Sequence, residues 1–280
     1  MKILKSIYEN EVEVKEISVL KSLFIIIMFT LIPGIINFLS TFIMILIDEN
    51  ISIGSVMIIA GIILIPVHMI IIIMVGKKYT QKDIIKINDK KVKINNKDFL
   101  YVFLIIIGYI LIREAILFDV LSQFEGPISE DDIDFFIDNA ETIEVVIFGF
   151  LMYFQTLITA PIFEELLFRG IILNGLLNKY KNSSKKAIIY SAMVFGLVHL
   201  NIPQGINAFI GGIILGFIYY YTKSMKLSIF AHFINNLITF VPVPESLIFK
   251  LSYIVIGTYV IMKGIKYIRN IKFINISETN

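Results

Sequence analysis

The sequence predicts an all-α polytopic membrane protein, with about eight transmembrane helices packed in one compact bundle. Three observations carry that prediction. Hydrophobic residues make up 57% of the 280 positions and charged residues only 17%, with a mean hydropathy of +0.82, whereas about a quarter of a water-soluble domain is charged. The apolar residues gather into runs long enough to cross a hydrocarbon core, which takes about 20 helical residues. The cations gather between those runs, on alternate connections.

The runs cover approximately residues 22–47, 52–76, 99–121, 142–163 with a helical continuation to 177, 187–200, 205–221, 227–240 and 246–267. The fifth and seventh are short: at about 1.5 Å per residue, 14 residues reach only about 21 Å, so each either extends into its loops or stops inside the membrane beside other protein. Of the 25 cations, 22 lie in the N-terminal segment, the loops 77–98, 179–186 and 223–226, and the C-terminal tail. The alternate connections 48–51, 122–141, 201–204 and 241–245 hold none, and the second is an acidic stretch from Glu125 to Glu141. The positive-inside rule then places both termini in the cytoplasm with an even number of spans.

The first run is too long for a signal-peptide core and no A-x-A pattern follows it, so it reads as a retained helix; no lipid-anchor motif is expected at either end. No repeat or second soluble domain interrupts the chain, which reads as a single integral membrane domain, 1–280. The net charge of +2 advertises no nucleic-acid partner. Cysteine is absent, which removes disulfides, thiolate nucleophiles and Cys-ligated metals. Imidazole chemistry rests on His68, His199 and His232.

Ionisable side chains at membrane depth are costly, so each is a functional candidate. His68, alone among isoleucines near Pro66, reads as a histidine hydrogen-bonded between helices. Arg113 and Glu114 are adjacent, point about 100° apart and so read as poor partners for each other, with interhelical roles instead. Lys250, near the end of the last run, is expected to snorkel to the interface. The run Ala160-Pro161-Ile162-Phe163-Glu164-Glu165-Leu166-Leu167-Phe168-Arg169 differs, since two acids and a base share one helix. Glu165 and Arg169 are spaced i, i+4 in the favourable order and read as a structural ion pair. Glu164, turned about 100° away, is free to face a cavity as a general base. The other reading of the cluster is a Glu-Glu-Arg cap at the cytoplasmic end of a span. His199 ends one short run, and His232 opens His-Phe-Ile-Asn-Asn, with Asn236 one turn further on the same face. Two histidines and a glutamate pair on separate helices suit hydrolytic water activation or metal binding. H-E-x-x-H, G-x-S-x-G and G-x-G-D are all missing. Gly212 and Gly216 form a G-x-x-x-G face suited to close helix approach.

Glu164-Glu165-x-x-x-Arg169, Phe195-x-x-x-His199 and His232-x-x-x-Asn236, in that order, resemble the CPBP membrane proteins, which comprise the type II CAAX prenyl endopeptidases and the bacterial bacteriocin-processing or self-immunity (Abi) proteins. The resemblance covers residues 164–236 and implies a catalytic core within 142–240. It implies an intramembrane protease in which Glu164 with His199 activates water and His232 with Asn236 polarises the scissile carbonyl. It also implies a metallopeptidase, with Zn²⁺ held by Glu164, His199 and His232; a metal-free glutamate mechanism uses the same residues.

Under the vertical-helix topology, Glu164 and His232 fall toward the cytoplasmic half and His199 toward the outer end, so they meet only if the 201–205 connection is submerged in protein. A non-catalytic self-immunity or peptide-binding protein is the second function weighed. A transporter is the third, for which no duplicated half or paired broken helices are found. Twenty-two lysines against three arginines, with many Ile and Asn, suggest an AT-rich bacterial genome, a plasma-membrane location and a peptide or small membrane-protein substrate rather than a prenylated one.

Overall fold

The computed structural model describes residues 2–81, 90–91, 94–124, 140–241, 243–244, 246–271 and 274–275. Its helices are α1 (Lys2–Tyr8), α2 (Val19–Ile47), α3 (Ile53–Tyr79), α4 (Asn96–Ile116), α5 (Phe118–Leu121), α6 (Thr142–Lys179), α7 (Ser184–Leu197), α8 (Ile202–Thr222), α9 (Met225–Ile238) and α10 (Leu247–Arg269). Two-residue strands, β1 (Lys90–Lys91) and β2 (Ile274–Asn275), pair antiparallel. The expected acidic connection from Glu125 to Asp138, and the 82–89 part of the lysine-rich loop, lie outside the described residues.

Each predicted apolar run is a helix, and six of them meet the length and hydropathy of a membrane span, so the expected count of eight is not confirmed. Among the described residues, α2, α3, α4, α6, α8 and α10 are long and apolar enough to cross a membrane. The other two, α7 and α9, have 14 residues each and reach about 21 Å, so hydropathy located them and neither spans a hydrocarbon core as a helix without its flanking turns. Polar residues set the helix starts. Ser18, Ser52, Asn201 and Ser224 accept backbone N–H groups in the first turns of α2, α3, α8 and α9, and Asn95 with Asp98 closes a capping box on α4. Asn201 and Pro203 start α8 at Ile202, three residues before the expected Gly205, because proline in the first helical turn loses no hydrogen bond.

Two apolar clusters hold the helices together. One joins the N-terminal segment to α2, α3, α6 and α7; the other joins α4, α8, α9 and α10. Large apolar residues on the outer faces, such as Phe38, Leu46, Phe150, Leu247 and Val255, are exposed to the surroundings, as a lipid-facing band requires. Close backbone approach joins α4 to α10: a Cβ at Gly108 would lie 2.7 Å from the Gly257 carbonyl oxygen, and the reverse is equally tight. Gly212 and Gly216 of α8 likewise face Ala192 and Ile188 of α7. At one end of the bundle the N-terminal segment is fastened by Asn10, which donates to the Lys223 carbonyl (2.6 Å) and accepts from Tyr219 (2.5 Å), itself bonded to Asn174 (2.8 Å).

Two expectations about isolated charges change. Arg113 and Glu114 do pair with each other, Nε to Oε1 at 2.8 Å, because a long arginine side chain near the end of a helix can curl round the 100° that separates the two positions. Lys250 is not isolated: it binds the exposed Asp119 at 2.6 Å.

Candidate active site

The Glu164-Glu165 motif lies on α6, which is not a uniform α-helix. Gln155–Thr159 and Leu166–Leu173 are π-helical, on either side of an α-helical turn from Ala160 to Glu165. Pro161 supplies a local reason for the first widening: it has no N–H for the preceding turn and its ring crowds the carbonyl four residues back, which a π turn relieves. The widened turns rotate the glutamates relative to an ideal helix, so the face each presents could not be counted off in steps of 100°.

Glu165 is fully buried. Its Oε1 lies 3.0 Å from Arg169 and 2.9 Å from His232 Nδ1. Arg169, 1% exposed, also donates to the Gly212 carbonyl of α8 at 3.2 Å and sits 5.0 Å from the Phe195 ring centroid. Three polar atoms of the pair, Glu165 Oε2 and Arg169 Nε and Nη1, are buried without a hydrogen-bond partner among the described residues, Nη1 having only its ion-pair contact with Glu165. A pair so completely desolvated holds geometry more than it stabilises.

His232, 5% exposed, is the junction of the site. A carboxylate only accepts, so the Nδ1–H of His232 donates to Glu165, which sets the ring's tautomer and aims Nε2 outward. That Nε2 lies 3.8 Å from Glu164 Oε2. Glu164 keeps 20% of its side chain exposed while its neighbour keeps none. The two acids are therefore differentiated by their surroundings, as their positions in the sequence imply, but Glu165 also orients His232, a role beyond its pairing with Arg169.

His199 stands in the turn after α7, between the end of that helix at Leu197 and the left-handed Leu200 (φ 52°). Its Nδ1–H donates to the Phe195 carbonyl at 3.1 Å. Phe195 packs edge-on against both histidine rings, 5.3 Å from His199 and 5.9 Å from His232. The motif phenylalanine is thus the wall that both imidazoles share. Asn236 donates to the Thr156 carbonyl of α6 at 2.9 Å, which ties α9 to the first π turn. Thr156 and Gly212, whose carbonyls hold Asn236 and Arg169, carried no signal in the sequence because a backbone acceptor is the same at every residue.

The structure therefore gathers Glu164, Glu165, Arg169 and His232 directly, His199 through Phe195, and Asn236 through α6. The donor chemistry suits zinc, since His199 and His232 both engage Nδ1 and leave Nε2. Their spacing does not: among the described residues no group of three His, Asp or Glu side chains is close enough to hold a metal ion. The set Glu164, His199 and His232 is not arranged as a zinc site here.

Residues 146–238 match the model of the family described as Type II CAAX prenyl endopeptidase Rce1-like, a stretch that contains all three motifs. A protein of Bacillus subtilis (strain 168), named "Putative membrane peptidase YdiL", is 34% identical over 95 residues, covering 34% of this chain and 37% of that protein. The similarity thus spans little more than a third of that relative. No solved structure matches. Both similarities support the CPBP/CAAX protease family for the segment that carries the motifs.

Proposed function

We propose, from the place of residues 146–238 in the CPBP/CAAX protease family, that this protein is an intramembrane endopeptidase cleaving a peptide or small membrane-associated protein. The observation that carries the reading is His232 held between the two glutamates, Nδ1 on buried Glu165 and Nε2 toward the more open Glu164. Glu164 takes a proton from water as the water oxygen attacks the scissile carbonyl, with His199 Nε2 as a second acceptor for that water. The oxygen of the tetrahedral intermediate faces the Nε2 side of His232, which donates to it when both ring nitrogens carry hydrogen, Nδ1–H staying on Glu165. Asn236 adds a donor when its amide leaves the Thr156 carbonyl. In a water-poor cavity such donors gain strength. Glu164 then returns its proton to the departing amine as the C–N bond breaks. No step passes through a metal.

The client is a leader peptide, pheromone precursor or bacteriocin, in keeping with the lysine-rich, arginine-poor composition. The site lies in a bacterial plasma membrane with both termini cytoplasmic. Membrane peptidomes of cells carrying wild type, Glu164→Ala, His199→Ala and His232→Ala test this reading. Each variant is expected to lose about 100-fold or more of product at unchanged protein abundance. Full product from all three variants overturns it.

A further inference from the structure

His68 belongs to none of the three motifs, yet the register of its helix brings it to Glu164. Helices α3 and α6 run parallel, as contacts at three levels show. Ser55 donates to Glu144 at 2.5 Å, Gln155 donates to the Gly61 carbonyl at 2.9 Å, and a Cβ at Gly76 would lie 3.9 Å from Ile171 Cδ1. Residue numbers rise together along both helices. His68 lies seven residues beyond Gly61, about 20° short of two full turns, so it shares the face that Gly61 turns to α6. Gly54, Gly61 and His68 form a heptad stripe on that face. Glu164 lies nine residues beyond Gln155 on α6, against seven from Gly61 to His68 on α3, so the two residues stand at neighbouring levels of the parallel helices. The Glu164 carboxylate is one of the charges that act on the His68 ring.

The ring is also oriented. Its Nδ1–H donates to the Leu64 carbonyl at 2.8 Å, and the Phe29 ring of α2 lies 4.7 Å away, centroid to centroid. Nε2 therefore carries the lone pair, and among the described residues it makes no hydrogen bond. Neither His68 nor His199 has a hydrogen bond or an ion pair with Glu164 among the described residues; what singles out His68 is the register of α3 against α6.

Resting on the protease reading above, we propose that His68 is the positioning residue of Glu164 on α3, the counterpart of His232 on α9, so that the carboxyl stands between two imidazoles. Once Glu164 has taken the proton of the attacking water, its O–H donates a hydrogen bond to His68 Nε2. The carboxyl is thereby held with that proton inside the site until the leaving amine accepts it. His68 itself neither gains nor loses a proton in this sequence.

The chain has no cysteine, so paired cysteines test the placement against a clean background. In full-length protein in native membranes, His68→Cys with Glu164→Cys is expected to cross-link through a short bifunctional thiosulfonate. Ile70→Cys with Glu164→Cys, whose first position faces outward at 52% exposure, is not. The kinetic arm uses a peptide that wild type cleaves and Glu164→Gln does not. His68→Ala is expected to lower kcat about 100-fold with KM unchanged. His68→Gln, whose amide lies where Nε2 was, restores most of the rate. His68→Asn, which keeps only the group bonded to Leu64, does not. Rescue by Asn and not by Gln makes His68 a merely structural histidine and overturns the proposal. So does the absence of a cross-link at 68/164 in folded protein. The link is read without any cleavage, so a failed protease reading leaves it in place while a misplaced His68 removes it.

Discussion

At the scale of single residues, burial decides what each charge is for. Arg169 is held on all sides by Glu165, the Gly212 carbonyl and the Phe195 ring. Replacing it with alanine strands a buried carboxylate, and breaking such a pair costs about 3–5 kcal/mol. Arg169→Ala is expected to lower the thermal midpoint of the detergent-solubilised protein well below that of Glu164→Ala, as fluorescence-detected unfolding would show; equal midpoints contradict it. Lys223 makes the opposite case. Just beyond the end of α8, in a left-handed conformation (φ 49°) over the Tyr219 and Tyr220 rings, it is pushed down to about 8 by burial. Below that pH the folded state carries a charge that the unfolded chain holds more easily. The penalty is therefore full below about 8 and fades as pH rises toward the ordinary lysine value of 10.5. Lys223→Met is expected to unfold at a higher temperature than wild type at pH 7, with the gap narrowing toward pH 10.5. A gap that stays constant with pH removes desolvation as its cause.

At the scale of helices, backbone geometry does the positioning. The α4–α10 contact rests on Gly108 and Gly257, each with the other's carbonyl 2.7 Å from where a Cβ would stand. A carbonyl cannot turn away as a side chain can, so Gly108→Ala separates the two helices. Overpacking of this kind costs about 1–3 kcal/mol, which a lowered thermal midpoint would register. Cleavage should fall less than stability, because neither helix carries a motif residue. The π turns of α6 matter more to chemistry, since they set the rotation of Glu164 between α3 and α9. Pro161 hinted at an irregularity in the sequence. Nothing in the sequence showed that the helix continues through it with altered pitch, because that outcome depends on what packs against the widened turns.

At the scale of the whole molecule, the alternation of lysine-rich and lysine-free connections implies one orientation. With no native cysteine, Asn182→Cys in the 179–186 loop is expected to react with an impermeant maleimide only in inverted vesicles. Asn50→Cys, between α2 and α3, is expected to react in intact cells. The reverse pattern overturns the cytoplasmic assignment of both termini. The sequence by itself determined where the helices lie, since a run of apolar residues and the capping polar residue before it are local properties. It also marked Glu164, Glu165, Arg169, His199, His232 and Asn236, since their spacing is local too. Tertiary structure decided the rest: that His232 bridges the glutamates, and that His68 comes level with Glu164. Each of these depends on the rotation and register of one helix against another. Those are set by contacts such as Gln155 on Gly61 and Arg169 on Gly212, which join residues far apart in the chain and leave no periodic trace in either helix alone.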